Sequence, residues 1–174
     1  MTRPKYLMPW TKSSRRMFSS GPWGFEPEWL TPQQLQAWLP FVRLLTLLPN
    51  ALDSQLRDEA GISHVYYQIL AMLSQAPDGA MRMSELARLT STSTSRLSHA
   101  VAALEERGWV TRSSCPTDRR GQLAQLTAAG RREVERTAPG HVAEVRRRVF
   151  DVLDDGELAQ LRALAAKLSA AAEA

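Results

Sequence analysis

Hydrophobic positions along the chain keep two rhythms. Between Thr31 and Gly61, the residues Leu35, Trp38, Leu39, Val42, Leu45, Leu52 and Leu56 return near every third or fourth position, the spacing of a helix face. Thr31 suits an N-cap, Pro32 a first helical position and Gly61 a stop. Pro40 and Pro49 lie inside this pattern and each removes a backbone donor, so a bend or break is expected at both. The segment is apolar on more than one side, which calls for a partner, either the rest of the chain or another subunit. A second helix follows in "SHVYYQILAMLSQ", capped by Ser63, with Val65, Ile69, Met72 and Leu73 on one face. The turn "APDGA" ends it.

The elements then shorten. "MRMSELARLT" predicts a very short strand and a short helix capped at Ser84, with Leu86 and Leu89 on its inner side. "STSTSRLSHAVAALEERGW" opens on hydroxyls from Thr90 to Thr94, then settles into Leu97, Val101 and Leu104 before Gly108. That is a helix with a polar front end. "WVTRSS" and "GQLAQLT" are short strand candidates around the turn "CPTDRR". Helical spacing resumes at Ala128, with a break or kink expected at Pro139 and Gly140, and a last helix opens on the acids of "DDGELAQL".

Helix, tiny strand, short helix, turn, helix, strand, basic turn, strand is the order of a winged helix-turn-helix in a mostly α-helical fold. In that arrangement the short helix backs a second one, which projects its front end into the major groove of DNA. Leu97, Val101 and Leu104 take the buried side, leaving Thr94, Ser95, Arg96, Ser98 and His99 outward. Small hydroxyls reach phosphates or base edges, and a guanidinium grips guanine or phosphate with two bonds. On the hairpin, Arg112 on the outgoing strand is a further DNA-binding candidate, and Arg119 and Arg120 at the tip suit a narrow, strongly negative minor groove. Asp118 is placed to orient one of them through a carboxylate–guanidinium fork.

Charge supports this placement. The whole chain carries a formal net charge of +4, yet residues 82–132 hold nine arginines against four acids, a local surplus of five. Residues 1–30 form an irregular basic extension, with prolines at 4, 9, 22 and 27 and five basic side chains but no acid in the first sixteen positions. A length of 174 residues with 44% hydrophobic content suits one domain with extensions. Cys115 is the single cysteine, so no intrachain disulfide can form and a reducing, cytoplasmic setting is expected. Neither a cleavable leader nor an apolar run long enough for a membrane span is evident, and no membrane partner is expected. No glycine-rich phosphate loop or nucleophile elbow is present. His64, His99 and His141 stand 35 and 42 positions apart, so no catalytic residues, no metal site and no cofactor are expected.

"MSELARLTSTSTSRLSHAVAALEERGWVTR" followed by "PTDRRGQLAQLTAAGR" resembles the MarR family of bacterial transcriptional regulators, over roughly residues 31–170 and most strongly over 83–130. The resemblance implies a homodimer with a dimerisation helix at 31–62, a winged helix-turn-helix DNA-binding domain at 63–127 and C-terminal dimerisation helices at 128–174. It implies that Ser93 caps the recognition helix, that Thr94, Ser95, Arg96, Ser98 and His99 face the groove, and that Asp118, Arg119 and Arg120 make the wing contact. Its partners would be double-stranded operator DNA of pseudo-palindromic sequence and a small aromatic or lipophilic ligand that relieves repression. Trp38, Tyr66 and Tyr67 are the candidate ligand-lining residues, with core or dimer-interface packing as the alternative for all three. Cys115 departs from the family's wing, where an acid often precedes the proline. Nearby Arg112, Arg119 and Arg120 could acidify its thiol, which keeps a redox-sensing regulator as one alternative. A ligand-free architectural DNA-binding protein on the same fold is another.

Overall fold

The computed structural model describes residues 29–115 and 118–173, with the side chains of all but 115 and 118–120. Most of the basic extension, residues 1–28, lies outside the described residues. The chain divides into a unit ending at Arg43 and a unit beginning at Leu44.

Helix α1 (Pro32–Ala60) starts at a reciprocal cap. Thr31 Oγ1 accepts the N–H of Gln34 at 3.2 Å, and Gln34 Oε1 accepts the N–H of Thr31 at 2.7 Å. The breaks expected at Pro40 and Pro49 do not occur, and the helix persists through both. A proline forfeits one backbone bond and crowds one carbonyl, a local loss that 29 helical residues absorb. Gly61 ends the helix at φ 66°, a left-handed conformation that costs glycine little.

Helix α2 (His64–Gln75) is capped as expected, with Ser63 Oγ accepting the N–H of Tyr66. Its buried face differs from the expected one. Ile69 and Leu73 are inside, but Leu70 and Tyr67 join them while Val65 turns outward and Met72 is half-buried. Strand β1 (Ala80–Arg82) runs directly into α3 (Met83–Leu89). Ser84 therefore lies inside the helix and not at its cap, since no linking residue separates strand from helix. Leu89 is also exposed, unlike Leu86, because α3 stops there and the buried Thr90 hydroxyl donates to the carbonyl of Leu86 at 2.8 Å.

The turn into α4 (Thr94–Glu106) is a Schellman closure, with Thr92 N–H bonded to the carbonyl of Ala87 and Ser91 N–H to that of Arg88. Strands β2 (Val110–Cys115) and β3 (Asp118–Leu126) join β1 in an antiparallel sheet of order β1-β3-β2. Ile69, Leu70, Leu73, Leu86, Leu97, Val101, Leu104, Val110 and Ala124 form one core, all but fully buried. Each large side chain among them contributes roughly 1.5–3 kcal/mol by leaving water.

Thr127 starts α5 (Ala128–Val145), its hydroxyl accepting from Gly130 N–H and donating to the carbonyl of Gly108. Pro139 and Gly140 do not interrupt α5; the break comes later, at the π turn Arg146–Phe150. A Cβ at Gly140 would meet the flexible side-chain ends of Glu59 and Gln55 of α1. Helix α6 (Asp155–Glu173) opens on a reciprocal cap between Asp154 and Glu157 and buries none of its residues.

Candidate nucleic-acid interface

The front of α4 is built by one hydroxyl and three leucine-type anchors. Ser93 Oγ accepts the N–H of Arg96 at 3.3 Å, which fixes the first turn. Leu97, Val101 and Leu104 are wholly buried, and their spacing leaves the other side free. Thr94, Ser95, Arg96 and His99 are exposed and Ser98 half-exposed, so one polar face carries all five groove candidates. A cleft of about 380 Å³ adjoins that face, lined by Arg82, Met83, Ser84, Thr94, Ser98, Gly121 and Gln122. It brings the helix front and the wing strand to one concavity. Ser84, Gly121 and Gln122 were not foreseen from the sequence; the antiparallel pairing of β1 with β3, Arg82 opposite Leu123, puts them there.

The wing is longer in strand than expected. Pairing reaches Cys115 on β2 and begins at Asp118 on β3, so Asp118, Arg119 and Arg120 are strand residues and not members of a six-residue turn. Ser114 pairs with Gln122 but Cys115 pairs with Asp118, which leaves 119–121 as extra residues on β3. Such a bulge re-aims a strand locally. The side chains of Cys115, Asp118, Arg119 and Arg120 lie outside the described ones.

Arg112 is placed differently from the helix-front residues. Its backbone N–H donates to Glu105 Oε1 at 2.9 Å, and its Nε donates to Glu105 Oε2 at 2.5 Å. One residue past the end of α4, the Arg107 guanidinium lies 5.6 Å from the ring centre of Tyr66 and 5.1 Å from that of Trp109. Tyr66 is thus tied to the far end of the recognition helix. Glu105 and Arg107 were both missed from the sequence, although "LEERGWVTR" places Glu105 and Arg112 on either side of the Gly108 reversal.

Behind the lobe, Tyr67 is buried against His141, ring centres 4.5 Å apart, and His64 lies 5.6 Å from His141. Burial pushes both imidazoles below the usual histidine range, His141 also through its neighbour His64, while Asp53 acts in the opposite direction on His64 and Glu144 on His141. Nδ1 of His141 is buried without a hydrogen-bond partner among the described residues. Burial likewise raises the Tyr67 phenol. Asp53 is held below the usual carboxylate range by the Arg57 guanidinium and by the backbone N–H of His64. Trp38 is half-exposed in the first unit, its ring 6.2 Å from that of Phe41. Among the described residues, no group of three or more His, Cys, Asp or Glu is arranged to hold a metal ion, and no helix is long and apolar enough to cross a membrane.

A profile described as the MarR family matches residues 60–121. The chain is also similar to a solved structure of Sco3205, a MarR family transcriptional regulator from Streptomyces coelicolor in complex with DNA. The two are 46% identical over 85% of this chain and 91% of that one, with a TM-score of 0.77. The chain belongs to the MarR family of transcriptional regulators. AbsC, a MarR family transcriptional regulator from the same organism, is 36% identical over 83% of this chain and 99% of its own, with a TM-score of 0.75. CouR from Rhodococcus jostii RHA1, solved bound to p-coumaroyl-CoA, is 25% identical over 78% of this chain and 94% of its own, with a TM-score of 0.67. No curated protein sequence matches this chain. As a MarR regulator the chain is a DNA-binding winged-helix protein, and its family is one of transcriptional regulators, which are generally not enzymes.

Proposed function

We propose that this MarR regulator is a repressor that binds a pseudo-palindromic operator as a homodimer and releases it when a small aromatic or lipophilic ligand binds. The observation that carries the reading is the polar front of α4, where Thr94, Ser95, Arg96 and His99 stand exposed over a leucine-anchored back. Thr94, Ser95, Arg96, Ser98 and His99 read the major groove, and Asp118, Arg119 and Arg120 follow the flanking minor groove. The DNA complex of the 46% identical relative supports the DNA partner. Dimerisation is supported by α6, whose Leu158, Leu161, Leu164 and Leu168 follow a helix face yet stay exposed. Two-fold symmetry then sets inverted half-sites about one helical turn apart. Ligand relief is supported by the p-coumaroyl-CoA bound to a 25% identical relative. Tyr66 and Tyr67 in the second unit are candidate lining residues for it, and Trp38 in the first is a candidate by itself. A regulator of this kind works where the chromosome is, in the cytoplasm.

Selection of bound duplexes from random-sequence DNA, followed by footprinting, tests the reading. The expected result is one protected inverted repeat, and Arg96→Ala should lose ~1–3 kcal/mol of affinity in a sequence-dependent way. Protection spread evenly over unrelated duplexes would instead establish the architectural reading. Cys115→Ser decides the redox alternative: release from the selected duplex by peroxide must survive the substitution if the thiol is incidental.

A further inference from the structure

We infer that Glu105 is a positioning residue for DNA binding: through Arg112 it fixes the wing relative to the recognition helix, and Arg112 acts as a strut and not as a phosphate contact. This rests on the DNA-binding reading of α4 and the wing given above.

The geometry separates Arg112 from the other cations of the lobe. Glu105 sits in the last turn of α4, one residue before its end, and Arg112 sits in the middle of β2, opposite Ala124 of β3. Both carboxylate oxygens are used, one by the Arg112 backbone N–H and one by its Nε. A carboxylate that holds main chain and side chain of one residue fixes that residue's orientation, which a side-chain pair alone does not. Beyond Arg112 the strand runs out through Ser113, Ser114 and Cys115, so a small change of angle at Arg112 is carried to the wing tip. The Arg112 and Glu105 side chains are 33% and 28% exposed, and the guanidinium charge is answered by the carboxylate it touches. Arg96, by contrast, makes no ion pair among the described residues and faces outward from the helix front. A cation already matched by a carboxylate has little charge left for a phosphate, whereas its lever on the strand is intact. Arg107 holds the same helix end on the Tyr66 and Trp109 rings, an anchor for α4 that is separate from the Glu105–Arg112 pair.

A partly exposed ion pair adds little to folding. The brace therefore predicts a defect in DNA binding without a matching defect in stability. Full-length wild type, Glu105→Gln, Arg112→Gln and the double variant are compared on one duplex selected from random-sequence DNA by the wild type. The readouts are affinity, hydroxyl-radical footprint and melting temperature. Glu105→Gln is expected to melt within about 4 °C of wild type. It should bind about tenfold more weakly, lose the flanking minor-groove protection and keep the protection at the major-groove half-sites. Arg112→Gln should match it, and the double variant should be no weaker than the weaker single, because both remove one strut. Losses that multiply in the double variant would make Arg112 an independent DNA contact and overturn the proposal. So would wild-type binding by Glu105→Gln, or protection lost evenly across the site. A wild type that itself lacks flanking protection removes the wing reading on which the brace stands, and that outcome is distinct from a protected wild type with equally protected variants.

Discussion

Helices α4 and α6 are both rich in leucine at helical spacing, and they solve opposite problems. In α4 the residues Leu97, Val101 and Leu104 are wholly buried, whereas in α6 the residues Leu158, Leu161, Leu164 and Leu168 are 38–58% exposed. The first helix finds its apolar partners within the lobe, from Ile69 and Leu86 to Val110. The second buries none of its own residues, and a shallow groove of about 520 Å³ runs along it past Phe150, Leu158 and Leu161 to Ala165. The same letters in the same rhythm thus specify a core in one place and, on the proposed reading, an association surface in the other. What distinguishes them is the chain around them: α4 packs against α2, α3 and β2, whereas α6 follows a π turn and packs extensively on no other described element.

The largest effect should come from putting charge on the exposed face. Leu161→Glu with Leu164→Glu buries carboxylates in any dimer that uses α6, at a cost on the order of 5 kcal/mol or more. Sedimentation should show monomers, operator binding should vanish, and the circular dichroism of the winged lobe should remain. A stable dimer carrying both glutamates would remove α6 from the interface.

On the other side of the comparison, Leu97→Ala opens a cavity in a filled core and should cost ~2–5 kcal/mol of stability in denaturant melts, with the dimer retained by the folded fraction. Gly130→Ala belongs to the same lobe and acts by collision. A Cβ there would run into the carbonyl oxygen of Trp109 and come within 2.8 Å of Leu126 Cδ1. Backbone cannot retreat as a side-chain tip can, so a loss of ~1–3 kcal/mol is expected. Gly140→Ala meets the flexible ends of Glu59 and Gln55 and should cost less. Equal losses at the two glycines would contradict the packing described around Trp109.

These contrasts also show what the sequence could tell. The capped, leucine-backed α4, its hydroxyl front and the order of the wing strands were legible because each depends on residues a few positions apart. Ser93, Leu97 and Gly108 are local signals. The exposed leucines of α6 were legible as helix but not as surface, since periodicity marks an apolar face without saying what covers it. The prolines misled because a proline's penalty is local and a long helix can carry it, as α1 does at Pro40 and Pro49 and α5 at Pro139. Ser84 and Leu89 misled because the strand runs straight into α3, which shifts both helix ends. The His64 to His141 approach was invisible, since the two stand 77 positions apart and only the packing of α5 against α2 joins them.

That histidine pair gives a smaller, pH-dependent effect. Folding lowers both imidazole pKa values, so above about pH 6.5 the residues are neutral in the folded and unfolded chain alike and add no pH dependence. As pH falls through that range the unfolded chain takes up protons that the folded one resists, and stability declines. The facing groups are Asp53 for His64, and Glu144 and the Tyr67 ring for His141; the carboxylates moderate the decline without reversing it. The depressed Asp53 works in a lower window, losing its stabilising contribution only as pH drops toward the carboxylate range. Urea midpoints should be lower at about pH 5.5 than at about pH 7.5, and His141→Asn should narrow the difference. An unchanged difference in that variant would place the pH sensitivity elsewhere.

The smallest effect compares the two ends of the helix-turn-helix. Both α3 and α4 close with the same backbone pattern, Ser91 and Gly108 occupying the left-handed position at φ 48° and φ 69°. Gly108 is in open space, with nothing within 4 Å of a Cβ, so its replacement would be resisted by conformation alone. Ser91 already bears that conformational strain, which for a non-glycine residue is about 1–2 kcal/mol, offset in part by the smaller freedom of serine in the unfolded chain. Ser91→Gly should therefore raise stability by no more than about 1 kcal/mol, and Gly108→Ala should lower it by a similar amount. Neither touches the polar front of α4, so affinity for the selected duplex should hold in Ser91→Gly. A loss of binding there, with the fold stabilised, would mean that the strained turn itself sets the angle at which α4 meets DNA.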